Sequence, residues 1–428
     1  MGRTLMRSMA ARLVFILPLA LSPCMHAEER IGTDTAALAR GNTQFAIDLY
    51  SKLRNDKALA GKNLFFSPYS ISAALAMTYA GARGETAHEM ATALRLPTSR
   101  GRPGPAKAAS DLALPWPPAR LRNAFGSIDR EMHPDPVKDR YEIHLANALW
   151  PSTSANLRKP FLDLCAGGFG AAVRQVDFGH AEEAASAINK WVRDQTRRRI
   201  QGLVQPDDVD GATMVLTNAI YFKGLWAAPF QARKTGFKPF LVGHRRLPQV
   251  QMMTQTDTFL YAEVDNVQVL ELPYGGGHLG MVVLLPRRRI PLPALEVQLK
   301  PKLLERCIES LNPRAVKVFF PRFAVRCRFS VRPGLAQLGI KKAFEPGADF
   351  SGIGDVGWLK DVIHKAFVKV SEEGTEAGGA TAVVVTQGEP PKPAHFTADH
   401  PFMFVIRERR TGTLLFMGRV VDPSARDS

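Results

Sequence analysis

Cysteine is scarce in this chain, with four residues in 428. Cys24 lies in the N-terminal segment, which leaves Cys165, Cys307 and Cys327. No C-x-x-C pair occurs and no His/Cys cluster has metal-ligand spacing, so no metal site is expected. The odd count favours buried free thiols. A Cys307–Cys327 disulfide stays open, because pairing cannot be read from spacing.

Enzyme signatures are also missing. There is no G-x-S-x-G elbow, since Asp349-Phe350-Ser351-Gly352 lacks the leading glycine. His88-Glu89 begins like a zinc-binding helix, but position 92 is Thr. No phosphate loop is found. Gly275, Gly277 and Gly280 match a dinucleotide fingerprint by letters alone, which would need a strand before and a helix after. Here the glycines join two strand patterns, and Pro286 ends the second, so a hairpin is expected. The chain reads as a non-enzyme that uses no cofactor.

A long apolar run is absent as well. Leu13 to Leu21 is too short to span a membrane. Arg3, Arg7 and Arg12 precede it and Ala27 follows, the layout of an export signal. Residues 1–27 are therefore expected to be a signal peptide and 28–428 the mature domain, secreted or periplasmic. Cys24 raises a lipoprotein alternative, which Pro23 fits poorly. Removing this segment takes three Arg and no acids, lowering the formal charge from +16 to +13. A basic surface attracts polyanions, and polyanion binding stays open. Nucleic-acid binding is not favoured, because the charge is spread along the chain apart from residues 197–199 and 287–289. Three-arginine clusters more often form a solvated face or a helix end.

What is present is an unusual stretch at residues 369–402. A strand pattern containing Ala366, Phe367, Val368 and Val370 meets Gly374, and the thirteen residues that follow are almost all small or β-branched, with Glu376 as the one charge. Loops this long are uncommon in compact domains. This one carries Thr381, Val383, Val384, Val385 and Thr386, which favour a pleated strand. Alternate residues Thr375, Ala377, Gly379, Thr381, Val383 and Val385 share an uncharged face, with Glu376 on the other. Extended, residues 374–387 would span roughly 46 Å. The stretch is a loop written as a strand that can lie inside a sheet.

These residues resemble the hinge of the reactive-centre loop of serpins: Glu372, Glu373, Gly374, Thr375, Glu376, Ala377, Gly378, Gly379, Ala380 and Thr381. Gly378 and Gly379 depart from the alanines usual there. The resemblance extends from about residue 36 to 423. Residues 63–97 include Ser67-Pro68, a helix cap with proline at the first position, then an almost wholly apolar segment expected to be buried on all sides. Asn-Ala-Ile-Tyr-Phe-Lys-Gly-Leu-Trp, residues 218–226, and Phe-Met-Gly-Arg-Val-Val-Asp-Pro, 416–423, are similar to further family motifs. Periodicity adds a helix over 34–54, one over 182–199, and strands over 141–150, 316–323 and 402–407. Residues 98–120, within an atypical segment at 98–140, are proline-rich and read as a surface insertion or flexible loop.

The resemblance implies an α+β fold of three β-sheets and eight or nine helices, with an exposed reactive-centre loop at 374–400. It implies a monomeric suicide inhibitor of serine or cysteine proteases. The protease cuts the loop, forms a covalent acyl complex, and is carried off as the hinge inserts into the central sheet. It groups Ser67, Ser70, Asn218 and His364 in a polar cluster that opens on insertion, and puts Trp226 where insertion begins. For His364 alone, a buried hydrogen-bonded histidine is the other reading. Counting from Glu372 puts the scissile bond at Gly388–Glu389. Counting back from Pro401 gives a different position, and Thr386 and Gln387 remain candidates. A non-inhibitory carrier, chaperone or storage protein is the alternative.

Overall fold

Pro68–Gly81 is a helix in which every residue is buried. Its start is fixed locally. The Ser67 side chain accepts the Ser70 backbone N–H at 3.1 Å, and Pro68 occupies the first turn, where its missing N–H is not needed. With no polar face, it can only sit between layers. The computed structural model describes residues 31–97, 116–132, 140–243, 245–374 and 392–425. The predicted signal peptide, Cys24, most of the hinge and all candidate scissile positions lie outside them.

In chain order the elements are α1 (Thr33–Leu53), β1 (Leu64–Phe66), α2 (Pro68–Gly81), α3 (Gly84–Ala93), α4 (Pro118–Met132), β2 (Tyr141–Pro151), α5 (Lys159–Cys165), β3 (Ala171–Val173), α6 (Ala181–Gln195), α7 (Pro206–Val209) and β4 (Met214–Gly224). There follow β5 (Gly236–Val242), β6 (Arg245–Val264), β7 (Val267–Pro273), β8 (Leu279–Pro286), α8 (Leu292–Gln298), α9 (Pro301–Glu309), β9 (Asn312–Pro321), β10 (Phe323–Ser330) and α10 (Arg332–Gln337). The last are β11 (Leu359–Val370), β12 (Ala394–Thr397), β13 (Phe402–Glu408) and β14 (Leu414–Val420).

The fold is α+β, with ten α-helices and two sheets among the described residues. The central sheet has the order β10-β11-β4-β2-β3. The other sheet has nine strands, β1-β14-β13-β8-β7-β6-β9-β12, with β5 beside β6. Three sheets were expected, and β6 is the reason for two. Its first residues, 245–252, pair with β5 and its last, 260–264, with β7, while β9 runs alongside the stretch 252–261 between them. One continuous strand thus joins what would otherwise be separate sheets. The glycines at 275–277 do form a hairpin, joining β7 to β8 in antiparallel register.

The central sheet is covered on both faces. Leu149, Met214, Leu216, Ile220 and Phe222 point into the main core with α2. Ala146, Ala148, Trp150, Val215 and Ala219 point to the opposite face. There they meet Ala184, Ala185, Ile188 and Val192 of α6. Trp191 of α6 packs edge-on against Trp150, ring centres 5.5 Å apart. This two-sided burial follows from strands whose alternate positions are both apolar. Helix α4 occupies part of the segment read as an insertion; its buried residues Leu121, Ala124, Phe125, Ile128 and Met132 hold it to the core. Cys165, Cys307 and Cys327 are free and buried, so no Cys307–Cys327 disulfide forms.

Candidate functional site

The central sheet has an irregular middle. Strand β11 is antiparallel to β10, and β4 is antiparallel to β2, yet β11 and β4 run parallel to each other. Their register runs from Leu359 opposite Met214 to Phe367 opposite Tyr221. Both strands go on for three residues beyond that last pair, to Val370 and Gly224. Parallel pairing is slightly weaker per residue than antiparallel. The seam is therefore weaker per residue than the antiparallel ladders on either side of it.

A buried polar cluster crosses this seam. His364 and Asn218 are register partners, with Nδ1 of His364 2.5 Å from Oδ1 of Asn218. An amide oxygen only accepts, so the imidazole carries its proton on Nδ1. Nε2 is then the acceptor for the Ser67 backbone N–H at 3.4 Å. Asn218 Nδ2 donates to Ser70 Oγ and to Asn147 Oδ1, each at 2.6 Å. Ser70 Oγ in turn donates to Asn147 Oδ1 at 2.9 Å, and Ser67 Oγ to the Leu415 carbonyl at 2.7 Å. Ser67, Ser70, Asn218 and His364 are all fully buried. Burial lowers the pKa of His364 from 6.5 to about 3, so the ring stays neutral. Side chains that would be costly if unpaired thus satisfy one another across α2, β2, β4 and β11.

The sequence reading grouped four of these residues and omitted Asn147. Its signal was present. Asn147 is the polar position on a strand face otherwise made by Ile143, Leu145 and Leu149.

Beyond β11 the chain turns at residues 371–374, at the end of the seam. The Ser371 carbonyl accepts the Gly374 N–H at 3.1 Å and the Trp226 indole N–H at 3.0 Å. Trp226 N–H donates to the Glu373 carbonyl at 3.1 Å, and Phe230 N–H to that of Glu372 at 2.8 Å. Trp226 is held flat against Tyr274, ring centres 4.7 Å apart. Gly374 has φ +74°, and a Cβ there would collide with the Trp226 backbone nitrogen and the Gly224 carbonyl. Glycine is required on both counts.

Glu372 is buried, and its carboxylate is bound by Arg322, whose Nε lies 2.6 Å away, and by the Thr235 hydroxyl. Burial raises its pKa, but these donors outweigh that and hold it below the ordinary glutamate value. Neither Arg322 nor Thr235 was legible as a partner. Of the predicted hinge, Glu372 and Gly374 are thus placed as an anchored turn against Trp226. Thr375, Glu376, Ala377, Gly378, Gly379, Ala380 and Thr381 lie outside the described residues, as do Thr386, Gln387, Gly388 and Glu389.

The last part of the segment expected as an exposed loop is instead a strand with buried residues: β12 lies parallel to β9 from Ala394 opposite Val316 to Thr397 opposite Phe319, and Phe396 and Ala398 are buried. Both ends of the 374–400 segment are therefore secured in different sheets. Among the described residues, no group of His, Cys, Asp and Glu is placed to hold a metal, and no helix is long and apolar enough to cross a membrane.

A mixed fold whose central sheet has a parallel seam, a polar cluster across it and a glycine-hinged turn at its end defines a narrow class. Residues 40–423 match the family model described as Serpin (serine protease inhibitor). The human leukocyte elastase inhibitor is 35% identical over 399 residues, spanning 90% of this chain and 99% of its own. An uncharacterized serpin-like protein of Thermococcus kodakarensis is 38% identical over 386 residues, spanning 89% of this chain and 84% of its own. Among solved structures, human thyroxine-binding globulin in complex with its ligand superposes with a TM-score of 0.77 at 28% identity, covering 92% of this chain and 100% of that one. The chain belongs to the serpin family, whose members are typically protease inhibitors.

Proposed function

We propose that the chain is an exported inhibitor of serine proteases that works once, by loop cleavage and insertion, and is not itself an enzyme. The observation that carries this is the parallel seam with its hinge at one end. A segment that turns back from Gly374 runs antiparallel to β11. Because β4 is parallel to β11, the same segment is antiparallel to β4 too. One inserted strand replaces a single parallel ladder with two antiparallel ones, each the stronger kind. The uncharged alternate face from Thr375 to Val385 suits the interior it would enter.

In the folded chain insertion waits on a cut in the loop, because the far end of the segment is tied to β9 through β12. The active chain is then held by a barrier rather than by lowest free energy. Residues 383–386 favour proteases that accept small apolar or β-branched side chains, with the bond at Gly388–Glu389 or beside Thr386 or Gln387. The likeness to the leukocyte elastase inhibitor supports that preference. The likeness to thyroxine-binding globulin supports a second reading, a carrier whose loop need not insert.

One comparison separates them. Thermal unfolding is followed before and after nicking the loop with a bacterial elastase or subtilisin. A large rise in melting temperature supports insertion, and an unchanged one overturns it. Mixing with a protease panel and looking for complexes that survive denaturing gels identifies the target class.

A further inference from the structure

A cavity of about 640 Å³ lies at the C-terminal end of α1 and shares no residue with the seam or its hinge. The turn into α8, the end of β5, residues 400–401 and the end of β14 form its other walls. Its volume suits a small molecule. Leu241 N–H donates to the Asp399 carbonyl at 2.8 Å, and Val421 N–H to Asn63 Oδ1 at 2.7 Å. Residues that do not line the cavity thus fix two of its walls.

The apolar part of the lining is aliphatic. It consists of Leu241, Val242, Ile290, Leu292 and Val421, with prolines at 291, 293 and 401. Leu241, Val242, Ile290 and Val421 are only half-buried, so they have surface left to cover. No Phe, Tyr or Trp lines the cavity, which leaves out the flat faces that favour an aromatic ligand.

The charged part of the lining is out of balance. Arg419 is fully served: Nη1 donates to Glu296 Oε1 at 2.7 Å, Nε to the Lys62 carbonyl at 2.9 Å and Nη2 to that of Leu59 at 2.8 Å. The Tyr50 hydroxyl also donates to Glu296 Oε1, at 2.5 Å. Arg288 is paired with Asp399, and Arg289 is exposed, where water serves it. Arg54 differs from all of these. Its side chain is only 17% exposed, and its Nη1 stands 3.8 Å from Glu296 Oε2, beyond hydrogen-bond range. Its Nε is buried with no acceptor among the described residues. Arg54 and Arg419 therefore share one carboxylate, which leaves one positive charge in excess. A guanidinium largely taken out of water and given no hydrogen bond is a place for an incoming acceptor.

We propose that this cavity binds an aliphatic monocarboxylate, with its head on Arg54 and its alkyl chain against the Leu241–Val242 and Ile290–Leu292 walls. One negative charge balances the lining, whereas a phosphate dianion overshoots it. The two carboxylate oxygens match the in-plane donors of a guanidinium. The alkyl chain covers the half-buried aliphatic side chains without needing a stacking partner.

Isothermal titration of the whole chain with octanoate, decanoate and dodecanoate, each below its micelle concentration, tests this. One site per chain is expected, with affinity rising about fourfold per added methylene. Octanol, which keeps the chain and lacks the charge, should bind about tenfold more weakly than octanoate. Arg54→Met keeps the aliphatic stem and leaves Glu296 bonded to Arg419 and Tyr50, so it keeps its fold. It should weaken octanoate about tenfold or more and leave octanol unchanged. Undiminished octanoate binding by this variant overturns the head site, and affinity independent of chain length overturns the apolar wall. Octyl phosphate that binds more tightly than octanoate, with the same loss in Arg54→Met, overturns the choice of carboxylate. Naphthoate that binds more tightly than decanoate overturns the aliphatic choice. No saturable binding by any of the three alkyl carboxylates overturns the proposal outright.

Discussion

His364 and Asn218 face each other from neighbouring parallel strands, with Nδ1 2.5 Å from Oδ1 and 146 positions of chain between them. Asn218 is the hub of the cluster, bonded to His364, Ser70 and Asn147 at once. Asn147 accepts from only two of these groups. Asn218→Ala should therefore destabilise the intact chain more than Asn147→Ala, by about 3 against about 2 kcal/mol, since each strands buried polar atoms. Urea unfolding of the two variants checks the ranking, and a reversed order refutes the hub assignment.

Acid should act on the same cluster. The folded pKa of His364 is about 3 against 6.5 when unfolded, so between those values the unfolded chain binds a proton that the folded chain does not. Stability is then complete above pH 6.5 and falls as the pH is lowered towards 3. At about pH 4.5 the loss from this group is about 2–3 kcal/mol. Protonation would also turn Nε2 from acceptor to donor, facing the Ser67 N–H. The depressed pKa of Glu372 adds in the same direction, its contribution being lost as pH falls through the folded value. A His364→Gln variant should flatten the part of the pH–stability profile that lies above the glutamate range.

Gly374→Ala tests the anchored turn. A left-handed alanine costs about 1–2 kcal/mol, and its Cβ has backbone on two sides that must move. The variant should lower the melting temperature of the intact chain and shift the emission of Trp226. A melting curve and an emission maximum identical to the parent would remove the geometric requirement claimed for this glycine.

Thr375→Arg tests the insertion argument itself. The substitution puts a charge on the face bound for the sheet interior, at a cost of several kcal/mol, roughly 2–7. The protease should then cut the loop and leave, giving nicked chain and active enzyme in place of a covalent complex. Stable complexes from this variant would show that the face at 375 never enters the sheet.

Much of this was readable in advance, and the exceptions share a cause. The apolar run of α2 and its Ser67-Pro68 start are local signals. So are the alternation of β2 and the glycine hairpin between β7 and β8. Ser67, Ser70, Asn218 and His364 could be grouped only through family likeness, because nothing in sequence spacing brings four elements together. Arg322 and Thr235 meet Glu372 from 50 and 137 positions away, which no periodicity records. The amphipathic spacing of α4 was masked by the prolines before it, where breakers outweighed a helical pattern that had begun. The count of sheets failed on β6, since no local signal says that a strand will keep going from one sheet into the next.

The parallel seam has a consequence for how the chain folds. The proposed inserting segment is next to β11 in sequence, so it can dock by closing a short turn. β4 must come from far away, a slow encounter for a long-range contact. The useful conformer thus requires the distant partner to arrive before the nearby one does. Refolding from denaturant should split between an active population and an inert one that has swallowed its own bait, in proportions set by rates and not by relative stability.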